Sequence, residues 1–243
     1  MMLDYFSNNQ TDLEVLVDWC SEKGVHFVSD EVYACSIYNS KKEFVSVASL
    51  AFDQSLQLYG DRINPNLVHI IYGLSKDFCM SGFRVGILYT RNEMVLQAIS
   101  NIGQFCALSS ISQYALSAIF ENEKLLENFM HENHKLLQKS YHVLINGLNS
   151  IGIPYYEPEG GLFLWISMRP LLQSSSLFQL SFQGEHDLWL HMHEQYKILL
   201  TPGRECQASQ CGHYRCCYAY VSINALKEMI RRLKIMWTTC LNM

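Results

Sequence analysis

The residues best suited to chemistry gather first in one turn. The stretch Tyr72-Gly-Leu-Ser-Lys-Asp-Phe-Cys-Met-Ser-Gly-Phe-Arg-Val-Gly86 carries Lys76 and, eight residues on, Arg84. Before it runs Asn66-Leu-Val-His-Ile-Ile-Tyr72, and after it Arg84-Val-Gly-Ile-Leu-Tyr89. Both are β-branched apolar runs that read as buried strands. A lysine in a turn walled by two such strands is partly desolvated, which disfavours its charged form. A free amine there can form a Schiff base with a carbonyl. Far downstream, Arg215 opens the run Gly212-His-Tyr-Arg-Cys-Cys-Tyr-Ala-Tyr-Val221. Its guanidinium is the side chain best matched to a carboxylate in bidentate geometry. Taken singly, each of these is equally a solvated surface cation.

The elements around them have the rhythm of an α/β domain. Thr11-Asp-Leu-Glu14 is a capping box, with Leu13, Leu16, Val17 and Cys20 at helical spacing and Gly24 as a stop. Val25 to Ser29 predicts a short buried strand that ends in Asp30-Glu-Val-Tyr33. Residues 34–66, including the Asp53-Gln-Ser55 run, read as loops with a short helix. Helices are expected over 92–107 and 109–120, the second with Ile111, Tyr114, Ala115, Ala118 and Ile119 on one core-facing side. Residues 122–149 predict one long helix with an apolar stripe from Leu126 to Leu148, suited to connecting two domains. Turn-rich 152–161 then leads to a strand at Leu162–Ser167. Residues 173–184 read as an exposed polar loop, 187–196 as a helix, and 198–203 as a short strand entering a turn. Gly212–Val221 reads as a strand, and Ser222 caps a closing helix with Leu226, Met229, Ile230, Leu233 and Trp237 on its face.

Composition narrows the function classes. The 243 residues are 49 % apolar, enough for a substantial core. A net charge of −5 with no basic stripe gives nucleic-acid binding no electrostatic support. No window approaches the roughly 18 unbroken apolar residues of a membrane span. Met1–Ser7 lacks the pattern of a secretory signal. Nine irregularly spaced cysteines then suggest reduced thiols in a cytoplasmic protein rather than a disulfide framework. Cys206, Cys211, His213, Cys216 and Cys217 crowd one stretch, but their spacing matches no paired zinc pattern. Cys216 and Cys217 would face opposite sides of a strand. No metal site is assigned.

Ser75-Lys76-Asp77 followed by Gly82-Phe83-Arg84-Val85-Gly86, with Ser29-Asp30-Glu31-Val32-Tyr33 upstream, resembles the cofactor-binding segments of pyridoxal-phosphate enzymes of the aspartate-aminotransferase fold. The likeness is to their 1-aminocyclopropane-1-carboxylate synthase-like branch. Glu159-Gly-Gly-Leu-Phe-Leu-Trp165, Pro202-Gly203 and Arg215 fall where that family carries a pocket-edge strand, a turn and a carboxylate-binding arginine. The resemblance implies pyridoxal 5′-phosphate as cofactor, held on Lys76 as an aldimine. Asp30 would face the protonated pyridine nitrogen, a pairing typical of such sites. Tyr33 would donate to the ring oxygen, Arg84 would contact the phosphate, and Arg215 would hold the α-carboxylate of an amino-acid substrate. It also implies a homodimer, or a dimer with a longer relative.

The implied fold is the C-terminal part of a two-domain aspartate-aminotransferase-like α/β architecture: a partial, mostly parallel sheet with helices, plus a smaller α+β domain. Residues 1–121 would belong to the large cofactor-binding domain, and 122–243 to the connecting helix and small domain. The likeness covers essentially the whole chain but only the later part of the family's length. The family's phosphate-cradling helix start, its ring-stacking aromatic and its ring-oxygen asparagine have no counterpart here, and Gly73 stands where many relatives have a phosphate-binding serine. An open sheet edge and exposed apolar surface are expected. Two readings stay open. One is a transaminase-, elimination- or cyclisation-type enzyme. The other is a truncated, inactive homologue that serves as an interaction or dimerisation partner.

Overall fold

The computed structural model describes residues 10–38, 44–52, 62–158 and 160–242. Met1–Ser7, the Asp53–Ser55 run and Glu159 lie outside the described residues. The chain divides into two compact units, one ending at His131 and the other beginning at Glu132.

The first unit is built on a three-stranded sheet of order β1-β2-β3, from β1 (Phe27–Asp30), β2 (Val68–Gly73) and β3 (Gly86–Thr90). β1 and β2 are parallel, with Asp30 beside Ile71. β2 and β3 are antiparallel, with Gly73 beside Gly86. The described part of the sheet is therefore mixed. Residues 74–85, which link β2 to β3, hold only a 3-10 turn at Ser81–Phe83 and no crossover helix, so β3 must return antiparallel.

One face of this sheet is packed. Leu13 and Val17 of helix α1 (Gln10–Lys23), Val47 and Leu50 of α2 (Val47–Ala51), and Ile63 close over Val68 and Ile70. The helical spacing of Leu13, Val17 and Cys20 survives as the buried stripe of α1, while Leu16 is exposed. Gly24 (φ +65°) ends the helix. Its N–H donates to Ser21 O and that of Val25 to Cys20 O, the left-handed ending that glycine allows without strain. On the opposite face Val28 is 54 % and Ile71 43 % exposed.

Helices α3 (Glu93–Gly103) and α4 (Ser110–Phe120) follow, capped by the Asn92 and Ser109 side chains on the N–H groups of Val95 and Ser112. Here the expected core packing is not what the fold does. α3 buries no residue, and α4 buries Leu116 while Ile111 and Tyr114 are about four-fifths exposed. Periodicity reports an apolar face, but burial needs a partner surface.

Helix α5 (Glu123–Ile151) runs through the division, and its C-terminal half buries Leu137, Tyr141, Leu144 and Leu148 in the second unit. That unit carries an antiparallel sheet of order β4-β5-β7-β6, from β4 (Tyr155–Tyr156), β5 (Phe163–Ser167), β6 (Thr201–Pro202) and β7 (His213–Cys217). Helices α6 (Arg169–Ser174), α7 (Phe182–Tyr196) and α8 (Ile223–Leu241) complete it. The expected polar loop over 173–184 is shorter than its composition suggested. Ser181 caps α7 by accepting from Gly184 N–H, and Glu185 is buried within the helix's first turns. Cys216 is buried and Cys217 exposed, the alternation a strand imposes.

Candidate active site

Parallel pairing of β1 with β2 fixes which side chains can meet. Both strands end at the same edge, where open α/β sheets bind ligands. Asp30 is the last residue of β1, exposed, and its Oδ1 accepts from the N–H of Val32 at 3.2 Å. The segment after it turns at once. Ala34 N–H donates to Glu31 O and Ser36 N–H to Tyr33 O, which folds the Tyr33 ring into the buried interior.

The Lys76 turn leaves the same edge from β2. Leu74 N–H still pairs with Val85 O at 3.3 Å, Met80 N–H with Leu74 O at 3.0 Å, and Cys79 N–H with Lys76 O at 3.1 Å. Cys79 (φ 55°) and Arg84 (φ 56°) both take the left-handed conformation. For non-glycine residues this costs about 1–2 kcal/mol each, so the packing around the turn must hold it. Phe78 supplies some of that hold, lying 5.3 Å from the Phe120 ring and 6.0 Å from the Phe129 ring. The turn brings Lys76 Nζ to 5.7 Å from the centre of the Tyr33 ring. Arg84 is exposed, and its guanidinium donates to Ser81 O at 3.1 Å. Asp30, Tyr33, Lys76 and Arg84, between 30 and 84 in sequence, thus belong to the end of one sheet.

Two buried carboxylates, which the sequence motifs contain but whose work they did not disclose, stabilise this edge. Glu31 accepts from Ser29 Oγ (3.0 Å), Ser46 Oγ (2.7 Å) and Val47 N–H (2.9 Å), tying the end of β1 to the start of α2. Asp77, fully buried, accepts from Cys35 N–H (2.8 Å), Ser36 Oγ (2.5 Å) and Tyr72 Oη (2.9 Å). Burial, then the hydrogen bond to Asp77 and its charge, push the Tyr72 phenol far above its usual range, so it remains a donor. Burial likewise raises the Cys35 thiol. The signal available in sequence was an acid directly beside the candidate lysine. Gly73 fits tightly behind them: a Cβ there would meet Val85 O at 3.2 Å.

Arg215 belongs to the second unit and is described there. It sits in β7 between Trp165 and Thr201, its guanidinium carbon 5.1 Å from the Phe163 ring centre and Nη2 3.4 Å from Thr201 Oγ1. Glu185 anchors the loop that leads into this strand. Its carboxylate accepts from the N–H of Arg204 at 3.0 Å and of Gly212 at 2.5 Å, and its carbonyl accepts from Tyr214 Oη. Burial, then the charge of Glu185, raise the Tyr214 phenol. Among the described residues no group of three or more His, Cys, Asp or Glu could hold a metal ion, and the nine cysteines are free.

Comparison with known proteins gives the family and the fold. The model of the family "Aminotransferase class I and II" matches residues 8–233. The 1-aminocyclopropane-1-carboxylate synthase 3 of Solanum lycopersicum is 36 % identical over 226 residues, covering 93 % of this chain and 46 % of that protein. Synthase 4 of Arabidopsis thaliana is 36 % identical over 231 residues, covering 95 % and 47 %. Among solved structures, an aromatic aminotransferase from Pyrococcus horikoshii OT3 superimposes with a TM-score of 0.76 at 20 % identity, over 95 % of this chain and 56 % of that one. A Thermus thermophilus aspartate aminotransferase double mutant gives 0.74 at 20 %, over 93 % and 52 %. The fold is that of the aspartate aminotransferases, and the chain spans about half the length of the relatives it matches. By its matched span and its identity to these relatives, the chain belongs to the class I and II aminotransferase family.

Proposed function

We propose that this chain carries the cofactor-binding edge and substrate arginine of a pyridoxal-phosphate-dependent enzyme of the aminotransferase/1-aminocyclopropane-1-carboxylate synthase type, acting on an α-amino acid. The observation that carries the reading is Lys76 Nζ held over the Tyr33 ring at the sheet edge where Asp30 ends the neighbouring parallel strand. The donor set suits the group: an amine for a carbonyl carbon, a carboxylate for a ring N–H, a phenol for a ring oxygen and a guanidinium for a phosphate. Pyridoxal 5′-phosphate, when bound, supplies an electron-poor ring that takes up the electron pair released at the substrate's α-carbon.

The remaining work falls to side chains. Lys76 Nζ would hold the group at its carbonyl carbon, and the same amine would be placed to take a proton from the substrate's α-carbon. Asp30 would hold the proton on the pyridine nitrogen, Tyr33 Oη would donate to the ring oxygen, and Arg84 would bind the phosphate. Arg215 grips the α-carboxylate in fork geometry, orienting the α-hydrogen. In this reading residues 1–121 are the C-terminal part of the large domain and 122–243 the connecting helix and small domain. The protein is cytoplasmic and works as a homodimer or with a longer relative.

The test is chemical. Protein mixed with pyridoxal phosphate and reduced with borohydride should carry the label on Lys76 by peptide mass mapping, and Lys76→Ala should abolish it. A label spread evenly over surface lysines would defeat the proposal. A second reading, an inactive interaction or dimerisation partner, is favoured by one specific feature: the exposed apolar run of Met94, Ile99, Ile102, Phe105, Ile111 and Tyr114. Labelling of Lys76 without turnover of any amino acid would select it.

A further inference from the structure

We propose that Asp77 is the positioning residue that holds the Lys76 amine against the Tyr33 ring, an inference that deepens, and rests on, the assignment of Lys76 as the cofactor lysine. Asp77 is fully buried and follows Lys76 directly. Its carboxylate accepts from two neighbouring residues of the Tyr33 segment, Cys35 N–H and Ser36 Oγ, and from Tyr72 Oη on β2. One side chain therefore clamps the segment that carries Tyr33 to the turn that carries Lys76. The clamp is made of hydrogen bonds, and its geometry separates two substitutions. In Asp77→Asn, the amide oxygen can keep Cys35 N–H and Tyr72 Oη, which share Oδ2. The new NH2 then faces Ser36 Oγ, a hydroxyl that accepts as readily as it donates. Asp77→Ala leaves all three donors without this acceptor.

The experiment is competitive trace acetylation of the whole chain, read lysine by lysine by mass spectrometry, in wild type, Asp77→Asn, Asp77→Ala and the core variant Leu144→Ala. In wild type, Lys76 should react about fivefold more slowly than the exposed Lys139 and Lys227, because its half-buried amine lies against the Tyr33 ring, which shields it from the reagent. Asp77→Ala should bring the rates within about twofold, while Asp77→Asn and Leu144→Ala keep the gap. Four results overturn the proposal: a wild-type Lys76 as fast as Lys139, an Asp77→Ala variant that keeps the gap, an Asp77→Asn variant that loses it, or a Leu144→Ala variant that loses it equally. Pyridoxal phosphate with borohydride is run in parallel. If Lys76 takes no label there while its acetylation still follows Asp77, the cofactor reading fails and the positioning role stands.

Discussion

Replacing Glu185 by glutamine tests whether a buried charge holds the strand that presents Arg215. Glu185 is 1 % exposed, and each of its carboxylate oxygens serves one backbone donor: Oε1 the N–H of Arg204 and Oε2 that of Gly212. Gly212 immediately precedes β7, so this pair fixes both ends of the loop between β6 and β7. Glutamine has the same shape but one oxygen. Whichever way its amide turns, an NH2 group confronts one of these backbone N–H groups, Gly212's buried or Arg204's part-buried. The loss is one charge-assisted hydrogen bond, about 1.5–3 kcal/mol, plus one unsatisfied buried donor, about 1–3 kcal/mol. Relief of the cost of burying a carboxylate returns part of this, leaving about 2–4 kcal/mol net. At a urea slope of about 2 kcal/mol per molar, the midpoint should drop by about 1–2 M. Tryptophan emission is a suitable reporter, since Trp165, Trp189 and Trp237 lie in the Glu132–Met243 unit and Trp19 in the other. Glu185→Ala should be at least as damaging. A Glu185→Gln variant with a wild-type midpoint would refute the argument, because the oxygen pair would then be dispensable to the two donors.

Three further outcomes are expected. Burial and the neighbouring His26 lower the pKa of His69 from its ordinary 6.5, so the unfolded chain binds more protons below that value. Stability should therefore be complete above about pH 6.5 and fall as acid titrates His69 through its lower folded value, with a flatter melting-temperature profile in His69→Gln. Gly184→Ala would drive a Cβ into the backbone oxygen of Gln179, so the start of α7 must move. Thermal unfolding should show a loss of more than about 3 kcal/mol, and a wild-type curve would contradict the packing. Finally, a maleimide should label Cys79, Cys106 and Cys217 in the native protein but not Cys216, whose thiol complete burial pushes up to about 12.

What the linear chain determined by itself was residue type and order. The strand–turn–strand around Lys76, the Asp30 strand end, the caps at Asn92, Ser109 and Ser222 and the stripe of α5 are local, since spacing and hydrogen-bonding groups within a few residues decide them. What lay outside its reach depends on contacts between distant segments. Nothing in Ser75-Lys76-Asp77 states that Asp77 would reach back 41 and 42 residues to Ser36 and Cys35. The composition of 173–184 likewise gave no sign that Glu185 would be drawn inside to meet Gly212. The apolar faces of α3 and α4 look like core in sequence and are exposed in the structure, because periodicity records which side is apolar and only tertiary packing supplies something to cover it. A buried carboxylate is stable only where donors converge on it, and that convergence is a property of the folded chain.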